Sequence, residues 1–181
     1  FRHSVFAHCE NVRLEEACAG LLTRWSYQWD QLRRARRLAA GRGAIPRLLH
    51  GQSGGTFEQL DSAKPDATWS SKDGDALLTR YLRARILGRT AFGHGYFGWP
   101  LLDGLRALLL TVALTGWVTR YVALSDGRTT FAYPDLIRAI GIVDRNATRN
   151  QELGLFSARL RLRYLANEQG ILRLLNAYPL T

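Results

Sequence analysis

The residues with the clearest capacity for chemistry lie at the start of the chain, where side chains that can ligate a metal ion are concentrated. These side chains are His3, His8, Cys9 and Cys18, with Glu10, Glu15 and Glu16 beside them. Structural zinc sites usually contain cysteines spaced two to four residues apart, and Cys9 and Cys18 are not spaced in this way. We therefore expect no metal site in this chain, exposed histidines, and a Cys18 buried on a helix as free cysteine often is.

A second candidate is the glycine-rich aromatic stretch GRTAFGHGYFGWP, which contains His94 and Tyr96. Glycine on both sides of His94 allows backbone amides and a titratable ring to converge on a ligand, so His94 and Tyr96 form a possible ligand loop. The alternative is a helix-to-helix turn with a solvated His94. The motifs GxSxG, HExxH and the P-loop do not occur in the sequence, so its catalytic and cofactor-binding residues stay unassigned.

Arginine supplies most of the positive charge, since Lys64 and Lys72 are the only lysines in a chain of net charge +10. The guanidinium group suits phosphate and carboxylate. A possible anion-binding face contains Arg33, Arg34, Arg36, Arg37, Arg42 and Arg47. Such charge runs are commonly solvated helix faces. A GC-rich genome also favours Arg codons over Lys codons, which would explain the arginines without any binding function. We expect, at most, weak and non-specific binding of nucleic acid.

The element that must position these residues is the apolar stretch from Pro100 to Leu124. Proline suits a helix start, and Asp103 lies in the first turn, where the helix dipole favours a carboxylate. The uninterrupted apolar part is shorter than a bilayer requires, so the pattern predicts a buried central helix, no transmembrane segment and, by default, a cytoplasmic protein. We expect Leu109, Val112 and Leu114 in the core.

The rest of the sequence predicts an all-α fold with one helical domain over residues 1–181. Apolar residues at three- and four-residue steps predict a long amphipathic helix over 11–40. Residues 50–74 are rich in Gly, Ser and Asp and predict a mobile loop. The helical core follows over 75–181, with a helix predicted over 76–87 after a cap at Asp75, helices over 134–145 and 151–166, a short final helix after Gly170, and no strand. The stretch NATRN is predicted to end the second of these helices and Gly170 the third, and the alternating run ARLRLRY is kept helical. The apolar residues predicted to face the core are Leu136, Ile137, Ile140 and Val143 in the second helix and Leu153, Phe156, Leu160 and Tyr164 in the third.

Three consecutive segments of this core resemble a known family. They are LLTRYLRARILGR, LLDGLRALLLTVALTGWVTRYVA and YPDLIRAIGIVDRNATRN. The pattern is similar to the helical C-terminal half of bacterial cysteine-cluster proteins related to flagellin lysine N-methylase. The resemblance covers under half of the chain, and no catalytic, metal or cofactor residue carries over to a numbered position.

The resemblance implies a methyltransferase whose N-terminal half, not represented here, carries a cysteine cluster with a metal or iron-sulfur centre and uses S-adenosylmethionine. This chain would then have a structural or substrate-docking role, and its partner would be a protein substrate or that N-terminal half. Because the chain starts at Phe1 and contains no Met, we expect it to be part of a longer product. Two alternatives remain: a basic helical module that binds nucleic acid, and a helical enzyme with a pocket around His94.

Overall fold

The computed structural model describes residues 42–45, 55–149, 156–166 and 168–180. The predicted amphipathic helix over 11–40 lies outside these residues. Within them the chain forms six helices and two short strands, which in chain order are α1 (Phe57–Ser62), β1 (Lys64–Pro65), α2 (Ser71–Leu87), α3 (Leu101–Ser125), β2 (Thr130–Phe131), α4 (Tyr133–Arg149), α5 (Phe156–Leu165) and α6 (Glu168–Ala177). The predicted helical fold is confirmed for the described part of the chain.

Helix α3 is the predicted central helix, with bounds shifted by one residue. Pro100 is the residue that precedes the helix rather than its first residue, and Asp126 follows the last turn. Gly127 then adopts a left-handed backbone (φ 77°), which ends the helix as glycine commonly does. By length and composition α3 could cross a bilayer, but its most apolar 18-residue stretch is 83% buried inside the protein. It is therefore the core helix that the sequence predicts.

The core forms around the carboxyl half of α3, where Trp117 and Val122 are completely buried. Trp117 stacks on Tyr121 with ring centroids 5.6 Å apart. The amino half is less covered. Val112 and Leu114 pack against the core as predicted, but the prediction for Leu109 is wrong, because this side chain is 42% exposed.

The predicted loop over 50–74 contains structure in its described part. Thr56 and Gln59 form a reciprocal capping box that starts α1: the Thr56 hydroxyl accepts from the Gln59 amide, and the Gln59 side chain accepts from the Thr56 amide at 2.9 Å. Such a box satisfies two amides that a helix start leaves unpaired. Helix α2 starts at Ser71 with Ser70 as its cap, whereas the sequence predicted Asp75 as the cap.

The fold is all-α only approximately, because β1 and β2 form a parallel pair. Lys64 is opposite Thr130 and Pro65 is opposite Phe131. The amide of Asp66 extends the pairing by donating to the Phe131 carbonyl at 2.9 Å. Two-residue strands are too short for an alternating pattern to be visible in the sequence.

The last three helices differ from prediction in their faces and ends. Helix α4 buries Leu136 and Val143 as expected, but Ile137 is 51% exposed. It also continues to Arg149, past Asn146, where the stretch NATRN was predicted to end it. In α5 the predicted inward residues Leu160 and Tyr164 are 57% and 80% exposed, and Leu162 packs inward instead.

Helix α6 includes Gly170, which was predicted to end the preceding helix. The alternating run ARLRLRY explains the error in α5, because period two does not indicate which side of a helix is buried.

The C-terminal segment, Tyr178–Leu180, crosses α3 at Gly116. A Cβ atom on Gly116 would lie 2.3 Å from the Tyr178 carbonyl oxygen, so the crossing requires glycine. One turn later, Arg120 donates to the Pro179 carbonyl at 2.8 Å. The segment is thus held at a backbone-to-backbone contact and by a buried guanidinium group.

We predict that Leu136→Ala lowers the free energy of unfolding by about 2 to 5 kcal/mol, because Leu136 is fully buried and truncation leaves a cavity. The neighbouring Ile137→Ala is the matched control and should cost less than about 1 kcal/mol. Urea denaturation of both variants measures the difference. Equal losses would contradict the orientation of α4.

We also predict that Gly116→Ala displaces the C-terminal segment and costs about 2 kcal/mol or more, since the Arg120 guanidinium loses an acceptor. Gly141 is the control: it is helical, exposed, and has open space around its Cβ position. Gly141→Ala should therefore be neutral or stabilise α4 by up to about 1 kcal/mol. Thermal and urea unfolding distinguish the two glycines, and similar effects would show that no close crossing exists.

Candidate functional site

The aromatic turn, residues 88–99, connects α2 to α3 and contains the predicted ligand loop. Its two arms are joined by an isolated bridge between Gly93 and Trp99, in which the Gly93 amide donates to the Trp99 carbonyl at 2.8 Å. The Gly98 amide also donates to the Gly93 carbonyl at 2.9 Å. The turn is therefore a closed loop with its own backbone hydrogen bonds.

Two aromatic anchors attach the turn to the core. Tyr96 and Trp99 are 6% and 3% exposed and pack with Ala107 of α3. Their rings meet edge to face with centroids 5.2 Å apart. Behind them, the carbonyl of Ala91 approaches Gly104 so closely that a Cβ atom there would lie 2.1 Å from the oxygen. These contacts fix the turn against the amino end of α3.

The turn places Phe97 in an unusual backbone conformation. Phe97 has φ 49° and Arg89 has φ 52°, in the left-handed region that favours glycine. A bulky residue there is strained and persists only where the surrounding contacts hold it. Phe97 is 38% exposed although its ring contacts Tyr96 at 5.2 Å between centroids. The turn thus holds a large apolar ring partly in solvent.

The structure separates the environments of the two residues of the predicted ligand loop. His94 lies at the exposed tip of the turn, whereas Tyr96 is buried beneath it. Burial raises the pKa of Tyr96 to about 12, and the nearby Arg85 only partly opposes this shift. Tyr96 is therefore a buried packing ring, and His94 is a surface group.

A polar cluster that the sequence did not reveal adjoins the turn. The Tyr81 hydroxyl donates to the Asp144 carboxylate at 3.0 Å, and Arg85 lies 3.5 Å from the same carboxylate oxygen. The Arg85 guanidinium is also 6.0 Å from the centre of the Tyr96 ring, within cation–π range. Burial, and then the Asp144 charge, raises the pKa of Tyr81. The cluster joins α2, α4 and the turn.

A second polar contact fixes the end of α3 that follows the turn. Asp103 is 2% exposed, and Arg163 of α5 binds its carboxylate with Nε at 3.0 Å and Nη2 at 2.8 Å. Arg106 approaches the same carboxylate at 3.5 Å. This hydrogen bonding raises the pKa of Arg163. From the sequence, only the helix dipole is expected to act on Asp103, because its partner is 60 residues away in the chain.

The exposed residues of the turn continue onto α2. Leu87, the last residue of that helix, is 76% exposed, and Ile86 is 40% exposed. We call Leu87, His94 and Phe97 the turn surface. Exposed apolar side chains can form protein contact sites, and an aromatic residue commonly contributes much of the binding energy.

The other candidate residues fall largely outside the described part of the chain. Of the possible anion-binding arginines only Arg42 is described, and it is exposed. The possible metal ligands His3, His8, Cys9 and Cys18 lie outside as well. Within the described ranges, no group of three His, Cys, Asp or Glu side chains is arranged to hold a metal ion. Anion binding by these arginines and the expected absence of a metal site therefore both stay as predictions.

We predict that Tyr96 makes stability depend on alkaline pH. The unfolded phenol ionises near pH 10 and the folded one near 12, so its contribution is complete below pH 10 and is lost as the pH rises towards 12. The loss amounts to about 2 to 3 kcal/mol. Tyr96→Phe should remove it, while Tyr164→Phe, at an 80% exposed side chain, is the matched control. Urea denaturation from about pH 9 to 12 tests this, and an unchanged slope in Tyr96→Phe would contradict it.

Comparisons with protein-family models, curated proteins and solved structures return no match for this chain. The resemblance to cysteine-cluster proteins related to flagellin lysine N-methylase therefore stays a prediction from the sequence.

Proposed function

We propose that this chain is the helical docking part of a larger, cytoplasmic lysine N-methylase-like protein, and that the turn surface holds a protein substrate. The chemistry would belong to the part of that protein not represented here, with S-adenosylmethionine and a metal or iron-sulfur centre. The observation that supports docking is Phe97, a strained and exposed aromatic residue on a turn whose backbone is fixed from both sides.

A fixed turn is suited to binding because little conformational freedom is lost on association. Immobilising a side chain at an interface costs free energy, and a residue that is already held avoids part of this cost. The hydrogen bonds between Gly93 and Trp99 and the close contact at Gly104 provide such rigidity. Phe97 would enter a pocket on the substrate.

The charge around the turn surface favours an acidic partner. Arg83 and Arg89 are exposed near the carboxyl end of α2, and the whole chain carries a net charge of +10. Complementary charge accelerates association and orients the partner more than it strengthens the complex. We therefore propose a substrate that combines an apolar pocket for Phe97 with acidic residues near its target lysine.

The decisive variant is Phe97→Gly. Glycine adopts φ 49° without strain, so the variant should fold at least about as stably as the wild type even though the ring contact with Tyr96 is lost. Docking should fall at least about tenfold, since an aromatic anchor contributes 1.4 kcal/mol or more. A photo-crosslinking residue at position 87, with Phe or Gly at 97, measures this in cells of the source organism.

The control places the same crosslinker at position 172, where Leu172 of α6 is 61% exposed. We expect proteins captured from position 87, but not from 172, to carry methyl-lysine when analysed by mass spectrometry, and this modification to disappear when the gene is deleted. Identical capture from both positions, or capture unaffected by Phe97→Gly, would contradict the proposal.

A basic module that binds nucleic acid is the second candidate, and the net charge of +10 favours it. Non-specific binding should be weak at physiological salt and fall steeply as salt is raised, because each phosphate contact releases a counterion. Tight, sequence-dependent binding of an oligonucleotide near 0.2 M salt, lost when Arg33, Arg34, Arg36 and Arg37 are replaced by Gln, would favour it over protein docking.

A further inference from the structure

Helix α5 carries apolar side chains on two opposite sides. Leu162 packs inward against the cluster that anchors the aromatic turn, and Ala166, directly after the helix, is 2% exposed. Leu160 precedes Leu162 by two residues, which on an α-helix is a rotation of about 200°. Leu160 and Tyr164 are four residues apart and share one side of the helix, where they are 57% and 80% exposed. The second apolar side of α5 thus faces solvent.

Arginine accompanies these exposed apolar side chains. The sequence of α5, FSARLRLRYL, contains three arginines and no acidic residue. One of them, Arg163, has a side chain that is 50% exposed although its guanidinium group binds Asp103 at 2.8 Å. We call Leu160, Arg163 and Tyr164 the outer face of α5. Positive charge and apolar surface are therefore combined on one helix.

The contact with Asp103 brings the outer face close to further exposed apolar residues. Leu101 and Leu102 directly precede Asp103 at the start of α3 and are 55% and 59% exposed. Arg106 also approaches the Asp103 carboxylate, and its side chain is 35% exposed. Single exposed leucines are common on protein surfaces and need no explanation. Several of them beside arginines are more typical of a contact site.

We propose that the outer face of α5 binds the surface of a membrane that contains anionic lipids, with the protein lying on the bilayer rather than crossing it. Interfacial helices bind through apolar side chains that enter the boundary between headgroups and acyl chains, and through basic residues attracted to anionic headgroups. Leu160 supplies the first contribution and Arg163 the second. Tyr164 suits the same depth, because its ring is apolar and its hydroxyl group is polar.

The combination of side chains favours a lipid surface over a nucleic acid. Phosphate contacts would use the arginines of α5 but give no reason to expose Leu160 beside them. At a bilayer, leucine and arginine act together, because the apolar group enters the membrane while the guanidinium group stays at the headgroups. The net charge of +10 adds to the attraction. The outer face lies opposite the side of α5 that packs on the aromatic turn, so this proposal does not depend on substrate docking at the turn surface.

Vesicle binding by the full chain tests the proposal. The probes are vesicles of phosphatidylcholine alone and of an equimolar mixture of phosphatidylcholine and phosphatidylglycerol, and flotation measures the bound fraction. A chain of net charge +10 adsorbs to many anionic surfaces, so the variants compared must have equal charge. Leu160→Asp is the test variant, and Leu172→Asp on α6 is the matched control. The two leucines are 57% and 61% exposed.

We expect affinity for the anionic vesicles to be at least about tenfold lower in Leu160→Asp than in Leu172→Asp, because only Leu160 is buried in the membrane. Vesicles of phosphatidylcholine alone should bind the wild-type chain much more weakly. Far-ultraviolet circular dichroism should be the same for both variants, since both positions are exposed. Equal affinities of the two variants would show adsorption by net charge alone and would overturn the proposal, as would a wild-type chain that does not float with anionic vesicles.

A second measurement reports insertion without an added charge. In a Cys9→Ser, Cys18→Ser background, Leu160→Cys carries a fluorescent label whose emission moves to shorter wavelength in apolar surroundings. Anionic vesicles should cause this shift at position 160 and not in the control Leu172→Cys. A label that stays in water at both positions would overturn the proposal. So would a chain that forms dimers in light scattering, becomes monomeric in Leu160→Asp and leaves the label unshifted by vesicles, because the outer face would then join two copies of the chain.

Discussion

The structure depends on a guanidinium group buried in an apolar helix. Arg120 is 6% exposed, and desolvation lowers its pKa. The cost is offset by hydrogen bonds to the carbonyls of Gly116 at 3.0 Å and Pro179 at 2.8 Å, and by the ring of Phe131 4.9 Å away. Since these partners lie on α3, the C-terminal segment and β2, the charge is compensated only when all three have assembled.

Two buried carboxylates at helix starts are likewise compensated by specific partners. Asp103 at the start of α3 is bound by Arg163, and Asp135 at the start of α4 is bound by Arg128 with contacts of 2.6 and 2.9 Å. Asp135 also accepts from the Ala132 amide at 2.8 Å, which satisfies a group near the helix start. Each guanidinium remains partly in solvent, so the pairs specify geometry more than they contribute stability.

The sequence predicted what depends on composition over many residues and missed what depends on a partner distant in the chain. The apolar run gave α3 to within one residue at each end, because length and hydrophobicity suffice to define a core helix. The face of α5 could not be read from alternating Leu and Arg, and there the ion pair of Arg163 with Asp103 decides the orientation. The sequence indicates Tyr96 as a candidate ligand-binding residue, but its burial follows only from its packing on Trp99.

Two glycines of α3 let other parts of the chain approach its backbone. Near the amino end, Gly104 allows the aromatic turn to come close, which holds the strained Phe97 in place. Towards the carboxyl end, Gly116 allows the C-terminal segment to come equally close, and Arg120 binds that segment one turn later. A turn that is held against a core helix in this way is suited to recognising another molecule, because little conformational freedom is lost on association.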